Sequence, residues 1–443
     1  VIKEIYADGF KSLNEFRFAL KPGLNILIGP NGAGKTNIIS LFEFIGLLQE
    51  KNLSEAFGLL GGAGAIFRKR GSNDFSKIIS VVIQGECRNS TENSTEFLGY
   101  EYSFEIAMSE SRDHIFYKNQ SIKIKVQNEL PETPETPETP WDVEISREYH
   151  NAKDNPPLIT RSKRPFKIKN RLPSKYPEEF LNAFFGNEDS IINLLNSSYE
   201  GLNNISRDLK GGTFYNLVPS NIKIPEDTAK TPGIRKDGSG LYVTLHTLEK
   251  GRASSRKRFI LSHFSDRDIS IFSFGKTLKE LIPYYKLANE AIKNIEVIHD
   301  PFDNKLQVKI SLEEEDSAPD SVLPLSAMSD GVLKWMSLIT ALFTNKNLFS
   351  IEEPENYFHP LMQQEFLNII RETLTSEERA VLLSTHSETI LNNATPDEVV
   401  LITFKKGKTS ASRPQNIDLL KKEISETGFG LGYFYIAGSL QNE

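Results

Sequence analysis

Cysteine is nearly absent: Cys87 is the only one in 443 residues. A lone thiol excludes an intrachain disulfide framework and fits a reducing, cytoplasmic setting. Long apolar runs are missing as well. No stretch approaches the roughly 20 apolar residues that a spanning helix needs, so no membrane partner is expected. The opening VIKEIYADGFKSL alternates like a strand and has no signal-peptide core. There is no long heptad run, which excludes an extended coiled-coil arm. Neither an HNH pattern nor a metal-binding Cys/His cluster is found. A net charge of −7 does not announce nucleic acid, which leaves only local basic patches for that role.

What is present is ordinary for a globular chain, with 38% hydrophobic and 25% charged residues. The length suits two or three domains, or one domain carrying a large insertion. The most informative stretch is Asn25 to Asn37, NILIGPNGAGKTN. Ile26, Leu27 and Ile28 have strand character, and Gly29 to Gly34 is a turn-rich loop. Lys35 and Thr36 open an amphipathic helix with Ile38, Ile39, Leu41, Phe42, Phe44, Ile45 and Leu48 as its apolar positions. This is G-x-x-x-x-G-K-[ST] in its required strand–loop–helix context. Glycines let successive N–H groups turn toward one point, and the helix start adds partial positive charge. Asn31, Gly32, Ala33, Gly34, Lys35, Thr36 and Asn37 are the expected phosphate cradle. Lys35 reaches the β- and γ-phosphates of ATP, and the Thr36 hydroxyl ligates Mg²⁺.

Taken in order, Val1–Ala7 and Glu15–Leu20 read as paired strands, and Leu24–Ile28 feeds the loop. Gly58–Gly71 is glycine-rich and ends in the basic Arg68-Lys69-Arg70. Ile78–Gln84 and Tyr100–Ala107 are further strands. From about 109 to 175 the character changes. PETPETPETP (131–140) cannot build a core and favours an extended solvated loop between Ile122–Val126 and Val143–Ile145. Arg161 to Lys175 carries seven basic residues and no acid. It is either a solvated face or a phosphate-backbone contact. Arg252, Arg256, Lys257 and Arg258 form a weaker cluster. Tyr176–Leu209 and Leu278–Ile295 have helical spacing. Beyond Asp300 the α/β pattern returns, with strands at Leu306–Leu312, Leu348–Ile351, Ala380–Ser384 and Val399–Phe404.

In an open parallel sheet, ligands sit beyond the carboxyl ends of the strands. Three expected strands end in reactive groups: the phosphate loop after Ile28, Glu352-Glu353 after Ile351, and His386 after Ser384. One of two adjacent carboxylates can face Mg²⁺ while the other addresses the attacking water. Glu352 is assigned to the metal and Glu353 to the water. Ser329-Asp330-Gly331 opens a helix. It can act as an ordinary N-cap or as a small anion site. His386 alone could equally be a capped strand-end histidine.

The order of motifs resembles the ABC-type ATPase heads of the SMC/RecF/OLD group, especially OLD-like AAA ATPases in their stand-alone form. The resemblance rests on Gly9–Leu13, Gly29–Asn37, Pro324–Lys334, Phe349–Pro360, Leu382–Leu391 and the ending Gly430–Leu440. It covers about 1–90 and 296–443. It implies an α/β, ABC-type P-loop ATPase head with mixed sheet and helices, plus a large α+β insertion between the two halves of the nucleotide site. The expected domains are 1–90 (phosphate loop), 91–295 (insertion) and 296–443 (signature, acidic strand end, switch histidine).

By the same resemblance, Lys11 and Ser12 touch the nucleotide from the first hairpin. Ser329 and Gly331 are the signature, reaching the γ-phosphate bound by a second subunit. Glu353 is the catalytic glutamate and His386 the switch histidine. Gln84 is the only nearby candidate to complete the metal shell of Thr36 and Glu352. Two departures stand out: Glu352 where most ABC ATPases have Asp, and SDG in place of SGG, both of which fit the OLD-like branch. The implied protein is a Mg²⁺-dependent ATPase acting as a homodimer across ATP, or a higher oligomer. Its role is a switch in bacterial anti-phage defence that controls a separately encoded nuclease or toxin, since the tail after His386 is too short for an appended nuclease domain. The alternative is a DNA-repair or DNA-tethering ATPase gripping duplex through Arg161 to Lys175. A transporter motor fits poorly, because roughly two hundred residues separate the half-sites.

Overall fold

The computed structural model describes residues 1–72, 74–90, 95–112, 114–127, 141–149, 159–162, 186–195, 201–210, 213–250, 276–314, 320–345, 348–356, 358–374 and 379–440. The PETPETPETP repeat, residues 163–175 of the basic run, 176–185 and the 252–258 cluster lie outside them. In chain order the strands are β1 (Ile2–Asp8), β2 (Phe16–Ala19), β3 (Gly23–Ile28), β4 (Ile78–Ser90), β5 (Thr95–Met108), β6 (Ile115–Gln127), β7 (Val143–Glu148) and β8 (Ile159–Ser162). They continue as β9 (Thr213–Tyr215), β10 (Ile292–Asp300), β11 (Lys305–Leu312), β12 (Ser321–Pro324), β13 (Phe349–Glu352), β14 (Ala380–Ser384), β15 (Val399–Lys405) and β16 (Lys408–Ser412). The helices used below are α1 (Lys35–Leu48), α2 (Leu278–Lys286), α3 (Asp330–Thr344) and α4 (Pro360–Leu374). The architecture is mixed α/β, as expected. No helix among the described residues is long and apolar enough to cross a membrane.

By its internal packing the chain forms two compact units. The first comprises Val1–Pro22, Leu27–Gly212 and Val400–Arg413; the second comprises Gly23–Ile26, Thr213–Val399 and Pro414–Glu443.

The first unit is built on an antiparallel sheet of order β2-β1-β4-β5-β6-β7-β8. Strict alternation puts Ile79, Val81 and Ile83 of β4 on the buried face, where the neighbouring β5 adds Tyr102 and Phe104. β5 starts five residues before the expected Tyr100, because Thr95 to Gly99 continue the register opposite β4. The stretch from β5 to β8 extends the very sheet that β1 and β2 begin. Under α1, Phe10, Phe44, Phe57 and Phe67 form a chain of ring contacts at 5.6, 5.2 and 5.6 Å. This chain fixes where the first hairpin turn meets the helix that follows the phosphate loop.

The second unit contains a parallel β9, β13, β14 array and an antiparallel β10-β11-β12 meander. β14 (AVLLS) is buried throughout, as a strand in a covered parallel sheet must be. α3 is buried nearly all round, with Trp335 fully enclosed and packed edge-on against Phe358 and Phe366. One expected element is corrected. The helix read over Leu278–Ile295 stops at Lys286, and Ile292 opens β10. Asn289 makes the turn, its carbonyl and side chain accepting from Ile292 N and Ala291 N. Ile292 and Ile295 then pair with Leu312 and Ile310, so their i, i+3 spacing is filled by sheet packing across a bulge.

Candidate active site

In the first unit, Leu27 and Ile28 at the end of β3 lead into the loop 29–34, and α1 starts at Lys35 with Gly34 as its N-cap. Gly34 has φ +104°, and a Cβ there would lie 2.2 Å from Thr409 Oγ1. No other residue fits. Gly29 is needed for a different reason: its Cβ would meet the Ile402 carbonyl at 2.2 Å, so the loop runs hard against β15. Lys35 is buried, and its Nζ donates to Gly29 O at 2.8 Å and Pro30 O at 3.3 Å. The ammonium thus lies folded over the loop. Asn31, Gly32 and Thr36 are exposed at its surface.

The first hairpin turn is brought to this loop. Asn37 Nδ2 donates to Ser12 Oγ at 2.7 Å, and Ser12 Oγ lies 2.6 Å from Thr409 Oγ1. Thr409 Oγ1 also bonds Ala33 O at 2.9 Å, and Thr409 N donates to Ser12 O at 3.1 Å. Ser12, Ala33 and Gly34 therefore share one buried threonine from β16, and Asn37 joins it through Ser12. Lys11 precedes them with φ +46°, a left-handed backbone that a lysine rarely adopts. Gln84 is exposed within β4, where its Nε2 donates to Glu101 Oε2 at 3.0 Å.

In the second unit, the parallel register sets Glu352 opposite Ser384, so the two strands end level. Glu353 N donates to Ser384 O at 2.9 Å, which turns the next residues across the end of β14. Glu353 has φ +45°, a strained backbone for a non-glycine residue. The turn Glu353-Pro354-Glu355-Asn356 closes with Asn356 N donating to Glu353 O at 3.1 Å. Asn356 Nδ2 also donates to Glu353 Oε2 at 3.1 Å, and His386 Nε2 stands 3.9 Å from Glu353 Oε1. Glu355 Oε1 accepts from Thr385 Oγ1 at 2.8 Å and His386 N at 2.9 Å, which fixes the histidine loop. The structure thus brings Glu353 and His386 together.

Ser329 caps α3, its Oγ accepting from Val332 N at 3.5 Å, and Gly331 lies in the first turn. Asp330 forms an ion pair with Lys223 at 2.8 Å, which gives the SDG spelling a local partner.

Against protein families, residues 24–392 match the model described as "AAA domain, putative AbiEii toxin, Type IV TA system". The chain belongs to this family. No curated protein matches the sequence. Among solved structures, it is similar to an SMC head bound to the C-winged-helix domain of ScpA, at 13% identity and TM-score 0.49, covering 95% of this chain and 99% of that one. An SMC head with an extended coiled coil, bound to the C-terminal domain of ScpA derived from Pyrococcus furiosus, gives 12% identity and TM-score 0.47, covering 97% and 99%. The SMC head domain from Thermotoga maritima gives 10% identity and TM-score 0.36, covering 93% and 98%.

Several residues beside these motifs escape sequence reasoning. Asn216 follows β9, and since Tyr215 pairs with Ile351 in parallel, Asn216 stands level with Glu352. A cavity of about 540 Å³ is lined by Asn216 to Pro219, Lys334, Glu352, Glu353 and Asn356. Lys334 is 5% exposed, and burial pulls its ammonium down to about 8, against the opposing pull of Glu355 and Glu353. Thr409 and Asn216 carry no motif. Lys334 sits inside the signature stretch, but nothing in its spacing marks it as buried. Among the described residues no group of three or more His, Cys, Asp or Glu side chains could hold a metal by itself.

Proposed function

We propose that this chain is a Mg²⁺-dependent ATPase whose catalytic site is completed by a second copy, and that it works as a nucleotide-driven switch. The observation that carries the reading is the turn after β13: Glu353 is held at φ +45° with its carboxylate 3.9 Å from His386, both at the ends of adjacent parallel strands. That is the arrangement a general base and a γ-phosphate sensor require. The phosphate loop supplies Lys35 and the amides of its helix start. Ser329 and Gly331 offer a hydroxyl and free helix-start N–H groups to the terminal phosphate held by the partner copy.

The donor set suits Mg²⁺, a hard cation that takes oxygen ligands and leaves most of its shell to phosphate and water. Thr36 and Glu352 would hold it, and the metal would neutralise charge developing on the phosphates. The all-oxygen donor set supports this choice. Asn216, level with Glu352, offers the kind of amide oxygen that Gln84 was expected to provide. Glu353 orients and deprotonates the attacking water, and Asn356 keeps one of its oxygens engaged while the other faces His386.

For the biological role, the family's description names a "putative AbiEii toxin, Type IV TA system". With that description beside the nucleotide site, the reading is a switch in a defence system that acts on a separately encoded partner, a nuclease or toxin. Co-purification with the product of an adjacent reading frame tests this. For the switch, Glu353→Gln with ATP is expected to sediment as a dimer. A monomer under those conditions would falsify the shared-site reading.

A further inference from the structure

Within the second unit, one buried charge has no place in the mechanism above. Lys334 lies on α3, five residues beyond the capping Ser329, and is 5% exposed. Its Nζ donates to Asn356 O at 3.0 Å and makes a longer contact to Glu353 O at 3.5 Å. Those carbonyls are the two ends of the four-residue turn that presents the catalytic glutamate. The turn is strained at Glu353, with φ +45°, and a strained residue persists only where its surroundings over-determine it. Asn356 contributes from inside the turn, through its own N–H and its amide to Glu353 Oε2. From outside, Ser384 O, Thr385 and His386 hold the turn on the β14 side, and Lys334 holds it from the helix whose first turn is the signature.

We propose that Lys334 is a positioning residue: it clamps the Glu353–Asn356 turn to α3, so that the placement of the catalytic carboxylate follows the placement of the signature helix. The inference rests on the nucleotide-site reading and extends it. A phosphate pulling on Ser329 and Gly331 would act on Glu353 through one rigid helix and one ammonium. Burying an ammonium is unfavourable, and the chain offsets that cost with two carbonyls, the nearby Glu353 and Glu355 carboxylates, and the Phe358 ring 5.9 Å away. A residue that served packing alone would be met more cheaply by methionine or leucine.

The test compares Lys334→Met, which keeps length and removes the donor, with Lys334→Arg, which keeps charge and donors. The adjoining cavity leaves room for a guanidinium. Steady-state ATP turnover, KM for ATP and thermal midpoint are measured for both, alongside wild type and Lys35→Ala. The expected result is a kcat at least about tenfold lower in K334M, with KM within about threefold of wild type, and substantial recovery in K334R. If K334M does not fold, Lys334→Gln gives the same readout. A wild-type kcat in K334M, beside an inactive K35A, overturns this inference alone. Equal losses in K334M and K334R that track a fallen thermal midpoint overturn it as well. Wild-type turnover that K35A leaves intact overturns the nucleotide-site reading and this inference with it.

Discussion

The phosphate loop and the acidic strand end are made of different materials. The phosphate loop of the first unit is a backbone device. Its shape comes from Gly29 and Gly34, each packed so closely that a Cβ would collide, and from the start of α1. The acidic half in the second unit is a side-chain device. Glu353, Asn356, Glu355 and His386 reach their places through strand register and a strained turn, with Lys334 inserted from another element. The difference teaches where each half is vulnerable. A backbone device fails by losing its glycines or its one essential cation. A side-chain device fails by degrees, as individual supports are removed.

The largest expected effect is on the first half. Lys35→Ala should reduce ATP hydrolysis to background, measured as phosphate release, because it removes the ammonium that lies folded over the loop. Next, Glu353→Gln should lower kcat by about 10²–10⁴-fold while ATP binding, measured by calorimetry, is retained. A loss of binding in that variant would show that the second half holds nucleotide rather than acting on it. Third, Gly34→Ala should destabilise the fold by about 1–3 kcal/mol in chemical denaturation, through the forced φ and the Thr409 clash. The smallest effect belongs to the exposed Asp330–Lys223 pair: Asp330→Asn should change stability by less than about 1 kcal/mol. A large change there would mean that the signature helix depends on its charge partner more than on its cap.

The same difference explains what could be read from the chain. The loop spans thirteen contiguous residues whose glycines and lysine have one shared purpose, so Asn25 to Asn37 announces itself. β14 is an unbroken apolar run closed by Thr385-His386, and its ends coincide with Ala380 and Ser384. Ser329 is a helix cap both in pattern and in structure. Thr409 was illegible, because it meets Ser12 across 397 residues and belongs to no motif. β9 is three residues long and becomes a strand only by pairing with β13, so nothing local pointed to Asn216. Over Leu278–Ile295, two isoleucines at helical spacing misled, because a turn at Asn289 and a bulged pairing with β11 decide that segment. Nothing in the signature stretch marked Lys334 as buried. Its burial depends on a turn about twenty residues downstream, and its contact with Asn356 O records that.

The central claim is that two copies pool their half-sites, and subunit mixing tests it most directly. Lys35→Ala and Ser329→Arg proteins are each expected to be inactive alone. Mixed in equal amounts with ATP, they should regain about a quarter of the wild-type rate, because half of the dimers then hold one intact composite site. A mixture that forms mixed dimers and stays inactive would contradict the account.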